Sequence, residues 1–416
     1  MSFDFLIIGG GAAGFFAAIN AAERNPNLKI GIIERGKDVL QKVRVSGGGR
    51  CNVTHACFEP EELVKFYPRG EAELLKPFKR FNPTDTINWF EKRGVKIKKE
   101  ADGRMFPVSD SSQSIIDCFL NAAYDLRIQI IKSTRVEKIE TLPVGGGQGG
   151  VSWQIQTNNQ TFTAQKLMLA TGSDTAIWKL LEDLDLQIVP PVPSLFTFNI
   201  HDKKLNDLMG VSFKNVNLTR SDGRPLPPLR IERGSNAPAI ITHWGMSGPA
   251  VLKMSAWGAR DLNLVDYKFG IKVNWLADLS KEEIQKQLHA QINQNPKKNV
   301  MANAEFGLPI RFWKYICEAA EVKEFQKWAE TGKKHIQKIT DLLTAATFKV
   351  DGKSTFKEEF VTAGGVDLSE IDFETFSTKK YPTLYMAGEV LNIDAVTGGF
   401  NFQAAWTGGW HIAQAI

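Results

Sequence analysis

Cysteine is scarce in this 416-residue chain: there are four, Cys51, Cys57, Cys118 and Cys317, and none forms a C-x-x-C pair. That excludes a disulfide scaffold and a dithiol redox motif, and no clustered ligands suggest a metal site. No apolar run reaches the ~18–20 residues that cross a bilayer. The apolar stretch Phe3–Phe16 is broken by Gly9-Gly10-Gly11 and lacks a basic leader, so it does not read as a signal peptide. The expected location is the cytoplasm, with no membrane partner. Hydrolase signatures are missing as well: there is no G-x-S-x-G elbow and no H-E-x-x-H. Charge of either sign is close to balance, with 51 Lys+Arg against 46 Asp+Glu and a net +5. Such mild basicity gives little reason to expect a nucleic-acid partner, so the expected substrate is a small molecule.

What is present is the make-up of a globular protein, 43% hydrophobic and 23% charged with a mean hydropathy of −0.21. At roughly 100–200 residues per domain, two or three units are expected. Phe5-Leu6-Ile7-Ile8 is a short apolar run ending in glycines. An alanine-rich helical pattern follows from Ala12 to Arg24, and Leu28 to Ile33 reads as a second strand. This is a β-α-β unit, the smallest element of a doubly wound parallel sheet. Glu59 to Gly94 looks helical, with Thr84 or Asp85 as a candidate cap and Gly94 as a stop. Arg135–Thr141, Val151–Thr157 and Thr161–Ala170 read as an antiparallel meander. Composition shifts near Pro190-Pro191-Val192-Pro193, and residues 190–350 read as a second domain, part β and part α.

Gly9-x-Gly11-x-x-Gly14 sits between the first strand and the helix. There the glycines permit a tight turn and close approach of the backbone to a pyrophosphate, whose charge meets the helix N-terminus. Glu34 ends the second strand about twenty residues beyond the last glycine, where an acid can bind a ribose hydroxyl pair. Gly145-x-Gly147-x-x-Gly150 fits the same pattern but precedes a strand rather than a helix, so it reads as a flexible turn. Ser46-Gly47-Gly48-Gly49-Arg50-Cys51-Asn52 offers consecutive backbone N–H groups, a guanidinium and an amide, suited to phosphate and the flavin edge. Ala387-Gly388-Glu389 and Thr397-Gly398-Gly399-Phe400-Asn401 precede an apolar helical stretch whose positive end can face an isoalloxazine. His243 is one of only six histidines. It is a weak candidate for catalytic acid–base work, and its plainer reading is a histidine satisfying its own loop.

These segments resemble glutathione-reductase-type FAD proteins and, more narrowly, the bacterial NAD(P)/FAD-dependent oxidoreductases of YhiN/BaiN type, a group that includes aminoacetone oxidase. The resemblance runs through Ile7 to Gly14, Ser46 to Asn52, Thr242 to Pro249, Thr362 to Val366, and Met386 through Trp406, and so spans nearly the whole chain. It implies an α/β fold: a Rossmann-like FAD-binding domain with a parallel sheet and a β-meander, residues 1–189 and 351–416. An inserted α+β domain at 190–350, with a β-barrel-like part and a helical part, would cover the flavin and substrate. By position, Gly9, Gly11, Ala13 and Gly14 would hold the pyrophosphate and Glu34 the ribose, with Arg35 and Lys42 beside them. Gly48, Arg50, Cys51 and Asn52 would approach the flavin. Val136 would meet adenine, with Ala170, Thr171 and Gly172 near it. Gly388 and Glu389 would bind the ribityl–phosphate region, and Gly399, Phe400 and Asn401 the pyrimidine end. Two departures stand out: Ser173 and Ala395 occupy places where glycine is usual.

The implied activity is FAD-dependent oxidoreduction of a small organic molecule. Its electrons would come from NAD(P)H docking transiently, or from an amine substrate with O₂ as acceptor. The rival reading is an RNA-binding or RNA-modifying flavoprotein. The lysines of 281–338 are interleaved with acids, which weakens that rival. Oligomeric state is left open.

Overall fold

The computed structural model describes residues 1–143, 151–223, 236–354 and 361–416, so the turn Gly145 to Gly150 lies outside the described residues. The chain divides into two compact units, Met1–Pro193 with Val361–Ile416, and Ser194–Phe360.

The first unit is built on β1 (Ser2–Ile8), α1 (Ala12–Arg24) and β2 (Ile30–Ile33). β1 and β2 pair in parallel, Ile7 opposite Ile32, and β3 (Gln129–Ile131) extends the sheet in parallel beyond β2. Phe5, Leu6, Ile7 and Ile8 are all buried, which is why this strand reads as an uninterrupted apolar run rather than an alternating one. β4 (Val136–Pro143), β5 (Val151–Thr157) and β6 (Thr161–Leu169) form the antiparallel meander. β6 then lies parallel to β1 on the side away from β2. The C-terminal strand β7 (Leu384–Met386) adds in parallel to β6, Tyr385 opposite Met168. The last segment of the chain therefore completes the sheet begun by the first.

α1 packs against the C-terminal helix, Phe400–Ala415. A Cβ on Gly409 would stand 2.9 Å from the Ala13 carbonyl oxygen and 3.2 Å from the Ala17 nitrogen. Glycine there lets the two helices meet backbone to backbone. Around this seam Phe16 lies 4.6 Å from Trp89 and 5.4 Å from Trp406, and Phe119 lies 5.6 Å from Trp406, ring centre to ring centre. Such aromatic pairs contribute roughly 0.5–1.5 kcal/mol each beyond their buried area.

The helical pattern over 59–94 is realised as a series of short elements. It breaks into Pro60–Leu63, a 3₁₀ turn Val64–Phe66, Glu71–Phe78 and Pro83–Glu91. The cap of the last is Asn82 rather than Thr84 or Asp85. Asn82 accepts the Thr84 N–H at 2.8 Å, Pro83 takes the first helical position, and Asp85 closes the box by accepting the Asn82 N–H at 2.9 Å.

The second unit carries an antiparallel sheet in the order Ala346–Asp351, Lys268–Asn274, Ser212–Arg220, Ala237–Thr242, Gly245–Ser247, Thr197–Asn199 and Lys353–Ser354. Its first and last strands are separated in sequence by Gly352 alone, so the sheet curls round on itself in a barrel-like manner. The helices Lys281–Gln294, Ile310–Ala319 and Lys333–Ala345 form the helical part, anchored by buried Trp275, Phe312 and Trp313.

Candidate cofactor site

The turn after β1 does what its glycines allow. A Cβ on Gly9, whose φ is +109°, would collide with the Ala170 carbonyl oxygen at 2.3 Å, and one on Gly14 with the Gly9 carbonyl oxygen at 2.3 Å. These two glycines let strand, turn and helix close on one another. Gly11 differs: a Cβ there would find nothing nearer than 3.9 Å, so its backbone faces open space. Gly11 is also the N-cap of α1; no side chain caps the helix, and its first turn carries no acid. An uncapped helix start beside an open backbone is the cradle a pyrophosphate requires.

Beside this turn lies a cavity lined by Gly9, Glu34, Arg35, Val136, Thr171 and Asp174, among others. Thr171 Oγ1 is buried there with no hydrogen-bond partner among the described residues, as expected where a polar ligand supplies one. Arg35 pairs with Asp174 at 2.6 Å on the rim. Val136 and Ala170 are buried. Lys42 pairs with Glu389, and a Cβ on Gly172 would lie 3.8 Å from Lys42 Nζ and 3.7 Å from a Glu389 oxygen. Three separate segments thus meet beside the glycine turn. Gly388 belongs to the same neighbourhood, its Cβ position 3.7 Å from the Ala13 Cβ.

The second glycine loop is a left-handed turn. Gly47, Gly48 and Gly49 have φ of 57°, 69° and 82°, and Cys51, a non-glycine, has φ of 60°. The Cys51 N–H donates to the Ser46 carbonyl at 3.0 Å and closes the loop. Cβ atoms on Gly48 and Gly49 would meet nothing within 4 Å, so this backbone also borders open space. Cys51 is fully buried, and burial pushes its thiol up to about 12, so it is neither a thiolate nor a nucleophile at neutral pH. The Arg50 guanidinium lies 3.9 Å over the Phe106 ring and pairs with Glu100 at 2.6 Å and more loosely with Asp110 at 3.4 Å. Those acids raise its pKa further, the hydrogen bond to Glu100 contributing most.

Gly399 caps the C-terminal helix, again with no side-chain cap and no acid in the first turn. Its Cβ position is 2.9 Å from Asn52 Oδ1, which brings the second glycine loop and this helix start together. Phe400 stacks 4.3 Å from Phe66, and its carbonyl accepts the buried Tyr67 hydroxyl at 2.6 Å. Asn401 brackets Ala395, accepting its N–H at 2.9 Å and donating to its carbonyl at 3.2 Å. Both bonds use the Ala395 backbone, so alanine serves where glycine is usual. His243 is exposed on the turn after Ala237–Thr242 in the second unit. There it lines an open pocket with His201, Asp202 and Asp207.

Sequence reading misses the groups that hold this site in shape. Asp394, fully buried, makes a bidentate pair with Arg69 just before the Ala395 loop. Gln403 accepts from Thr54 at 2.6 Å and Thr86 at 2.9 Å, and donates to Thr407 at 3.1 Å. No local pattern marks either set, because Arg69 and Asp394, and Gln403 with Thr54 and Thr86, lie hundreds of residues apart.

The family model described as the HI0933-like protein Rossmann domain matches residues 3–415. The chain belongs to this family. It is a family of FAD-binding Rossmann oxidoreductases, and the uncapped helix starts, the open glycine backbones and the orphaned Thr171 hydroxyl fit that cofactor. The chain is 27% identical to a ribosomal RNA dihydrouridine synthase of Escherichia coli strain K12, covering 100% of this chain and 98% of that protein. It is 23% identical to a 3-dehydro-bile acid delta(4,6)-reductase of Clostridium scindens, covering 98% of each. Among solved structures, a 3-ketosteroid-delta4-(5alpha)-dehydrogenase from Rhodococcus jostii RHA1 shares the fold at a TM-score of 0.50 and 12% identity, covering 99% of this chain and 97% of that one.

The expectation that nucleic acid is not a partner is corrected by the end-to-end match to an enzyme named for ribosomal RNA. Net charge and interleaving along the chain average over the whole surface, and so do not reveal where cations collect once it folds. Among the described residues no helix is long and apolar enough to cross a membrane, and no group of three or more His, Cys, Asp or Glu is placed to hold a metal.

Proposed function

We propose that this chain is an FAD-dependent reductase that saturates a carbon–carbon double bond conjugated to a carbonyl. The substrate is a uracil base in ribosomal RNA, the hydride donor is NAD(P)H, and the enzyme works in the cytoplasm. The observation that carries this reading is the full-length match to a ribosomal RNA dihydrouridine synthase. The bile-acid reductase among the relatives supports the reaction class, since a uracil C5–C6 bond and a dienone are both alkenes polarised by a carbonyl.

Bound FAD supplies the relay of hydride from donor to substrate. The chain's own residues bind and orient. The start of α1 and Gly11 take the pyrophosphate, Glu34 the adenosine ribose, and Lys42 with Glu389 the phosphate flank. The loop Gly47–Asn52 and the helix start at Gly399 border the ring, where backbone donors and a positive helix end stabilise negative charge. We carry His243 as the candidate that delivers the proton completing the reduction; full turnover by a His243→Gln enzyme removes it.

The test is anaerobic incubation of the FAD-loaded protein with NADH or NADPH and deproteinised ribosomal RNA, then digestion to nucleosides and mass analysis. Dihydrouridine formed in step with donor oxidation is the expected result. If no dihydrouridine forms with either donor while a 3-keto-4,6-diene steroid is reduced, the substrate is a small enone and the RNA reading falls.

A further inference from the structure

Phe325 is 81% exposed, on the connection between the helix Ile310–Ala319 and the 3₁₀ turn Trp328–Glu330. Its turn is tightly built. Gln326 is buried, its N–H donates to the Lys323 carbonyl at 3.0 Å, and its side-chain oxygen accepts the Lys323 N–H at 3.1 Å. Val322 and Trp328 on either side are buried. A second loop is laced to this one: Val300 N–H donates to the Gln326 carbonyl at 3.0 Å, Trp328 N–H to the Lys298 carbonyl at 3.1 Å, and Asn299 Nδ2 to the Glu324 carbonyl at 2.6 Å. Asn299 and Lys327 also form an isolated antiparallel bridge. The lacing sets the loop that carries Lys297 and Lys298 against the turn that carries Lys323, Phe325 and Lys327, and all five of these residues are exposed.

The acids within these two loops are fewer. Glu324 is exposed, and Glu330 accepts the Lys327 N–H at 3.0 Å. Nearby Lys338 and Lys281 are neutralised by Glu321 at 2.7 Å and Asp341 at 2.6 Å. None of the four loop lysines has such a pair among the described residues. The interleaving of acids and lysines seen along 281–338 is therefore sorted in space, and these two loops are left with an excess of positive charge. A preorganised turn that holds an aromatic ring in water, on a pair of laced loops with an excess of lysines, matches an unstacked base and its phosphates.

We propose that the turn Lys323–Lys327, with Lys297 and Lys298, is an RNA-docking platform: a base stacks on Phe325 and the lysines meet the adjoining phosphates. The inference rests on the reading of RNA as substrate and adds where the second unit grips it.

The experiment measures binding of a fluorescein-labelled RNA hairpin with a uridine-rich loop to the FAD-loaded full chain, by anisotropy across a salt series. Phe325→Ala is expected to weaken binding about tenfold or more, from the usual worth of a base–aromatic stack, and Phe325→Trp to retain it. Changing the four lysines to Gln is expected to reduce the slope of log K against log salt by about 3, at ~0.7 per single-strand phosphate contact. Unchanged melting temperature and flavin content in each variant establish that it is folded. If the unaltered protein binds the hairpin but the variants match its affinity and slope, the platform is overturned and the RNA reading stands. If the unaltered protein neither binds nor modifies RNA, the RNA reading itself falls.

Discussion

Glu34 accepts the backbone N–H of Gly10 through Oε2 at 2.9 Å, and its other oxygen accepts the Gly36 N–H at 2.7 Å. The carboxylate ties the end of β2 to the glycine turn, and in the proposed reading its remaining lone pairs take a ribose. Charge-assisted hydrogen bonds are worth roughly 1.5–3 kcal/mol each. Glu34→Ala is expected to weaken FAD binding about 10- to 100-fold and also to lower the stability of the apoprotein, because two backbone donors lose their acceptor. Glu34→Gln, which retains acceptor oxygen, should lose less of both. Titration of FAD into apoprotein and urea unfolding measure the two effects, and unchanged affinity in Glu34→Ala would place the adenosine elsewhere.

Arg69 and Asp394 form a pair from which water is nearly excluded, with the Asp394 side chain wholly buried and that of Arg69 13% exposed. Removing one partner leaves the other charged and buried, which typically costs about 3–5 kcal/mol. Asp394→Ala should therefore shift the urea midpoint strongly, whereas Arg69→Met with Asp394→Leu should recover most of the loss. A single Asp394→Ala change that leaves the midpoint unmoved contradicts the pair.

The four thiols should divide by accessibility. Burial raises Cys51 and Cys317 to about 12 and Cys118 to about 11. Cys57 is only half-buried, and its pKa rises less, through burial first and then Glu62 and Glu59. Iodoacetamide at pH 8 is expected to label Cys57 first and the other three only on unfolding, as read by peptide mass mapping. Rapid labelling of Cys51 in the folded protein would contradict its place in the closed loop.

His411 is buried on the C-terminal helix, its ring nitrogens 2.9 Å from the Glu374 carbonyl and 3.2 Å from the Pro77 carbonyl. Burial lowers its pKa below 6.5 despite those two carbonyls. With the folded value below the unfolded one, the unfolded chain takes up the proton first as pH falls. Its contribution to stability is thus complete above 6.5 and is lost on acidification below that value. Unfolding midpoints between pH 7.5 and 5 should show this loss, and His411→Gln should flatten it. An identical pH slope in the variant would assign the effect to other groups.

Local pattern was enough for the core of this protein. Phe5 to Ile8, the three glycines, the alanine-rich helix and Glu34 lie within one short stretch, so strand, turn, helix and acid are specified by neighbours and by periods of two and 3.6. The meander was readable for the same reason. The helical character of 59–94 was readable too, but not its division at Gly70, Asn82 and Pro83 or the cap at Asn82, because punctuation competes with periodicity. What only the tertiary structure decided are contacts between segments far apart in the chain. These include the bidentate pair of Arg69 with Asp394, the Gln403 hub joining Thr54 and Thr86, and the commitment of Arg50 to Glu100. The lacing of the loop of Lys297 and Lys298 to the turn of Lys323 and Lys327 belongs with them. A charge in sequence has neighbours on both sides and of both signs; which of them it meets is settled by the backbone hydrogen bonds that bring distant loops together, and those carry no signature in the side chains they position.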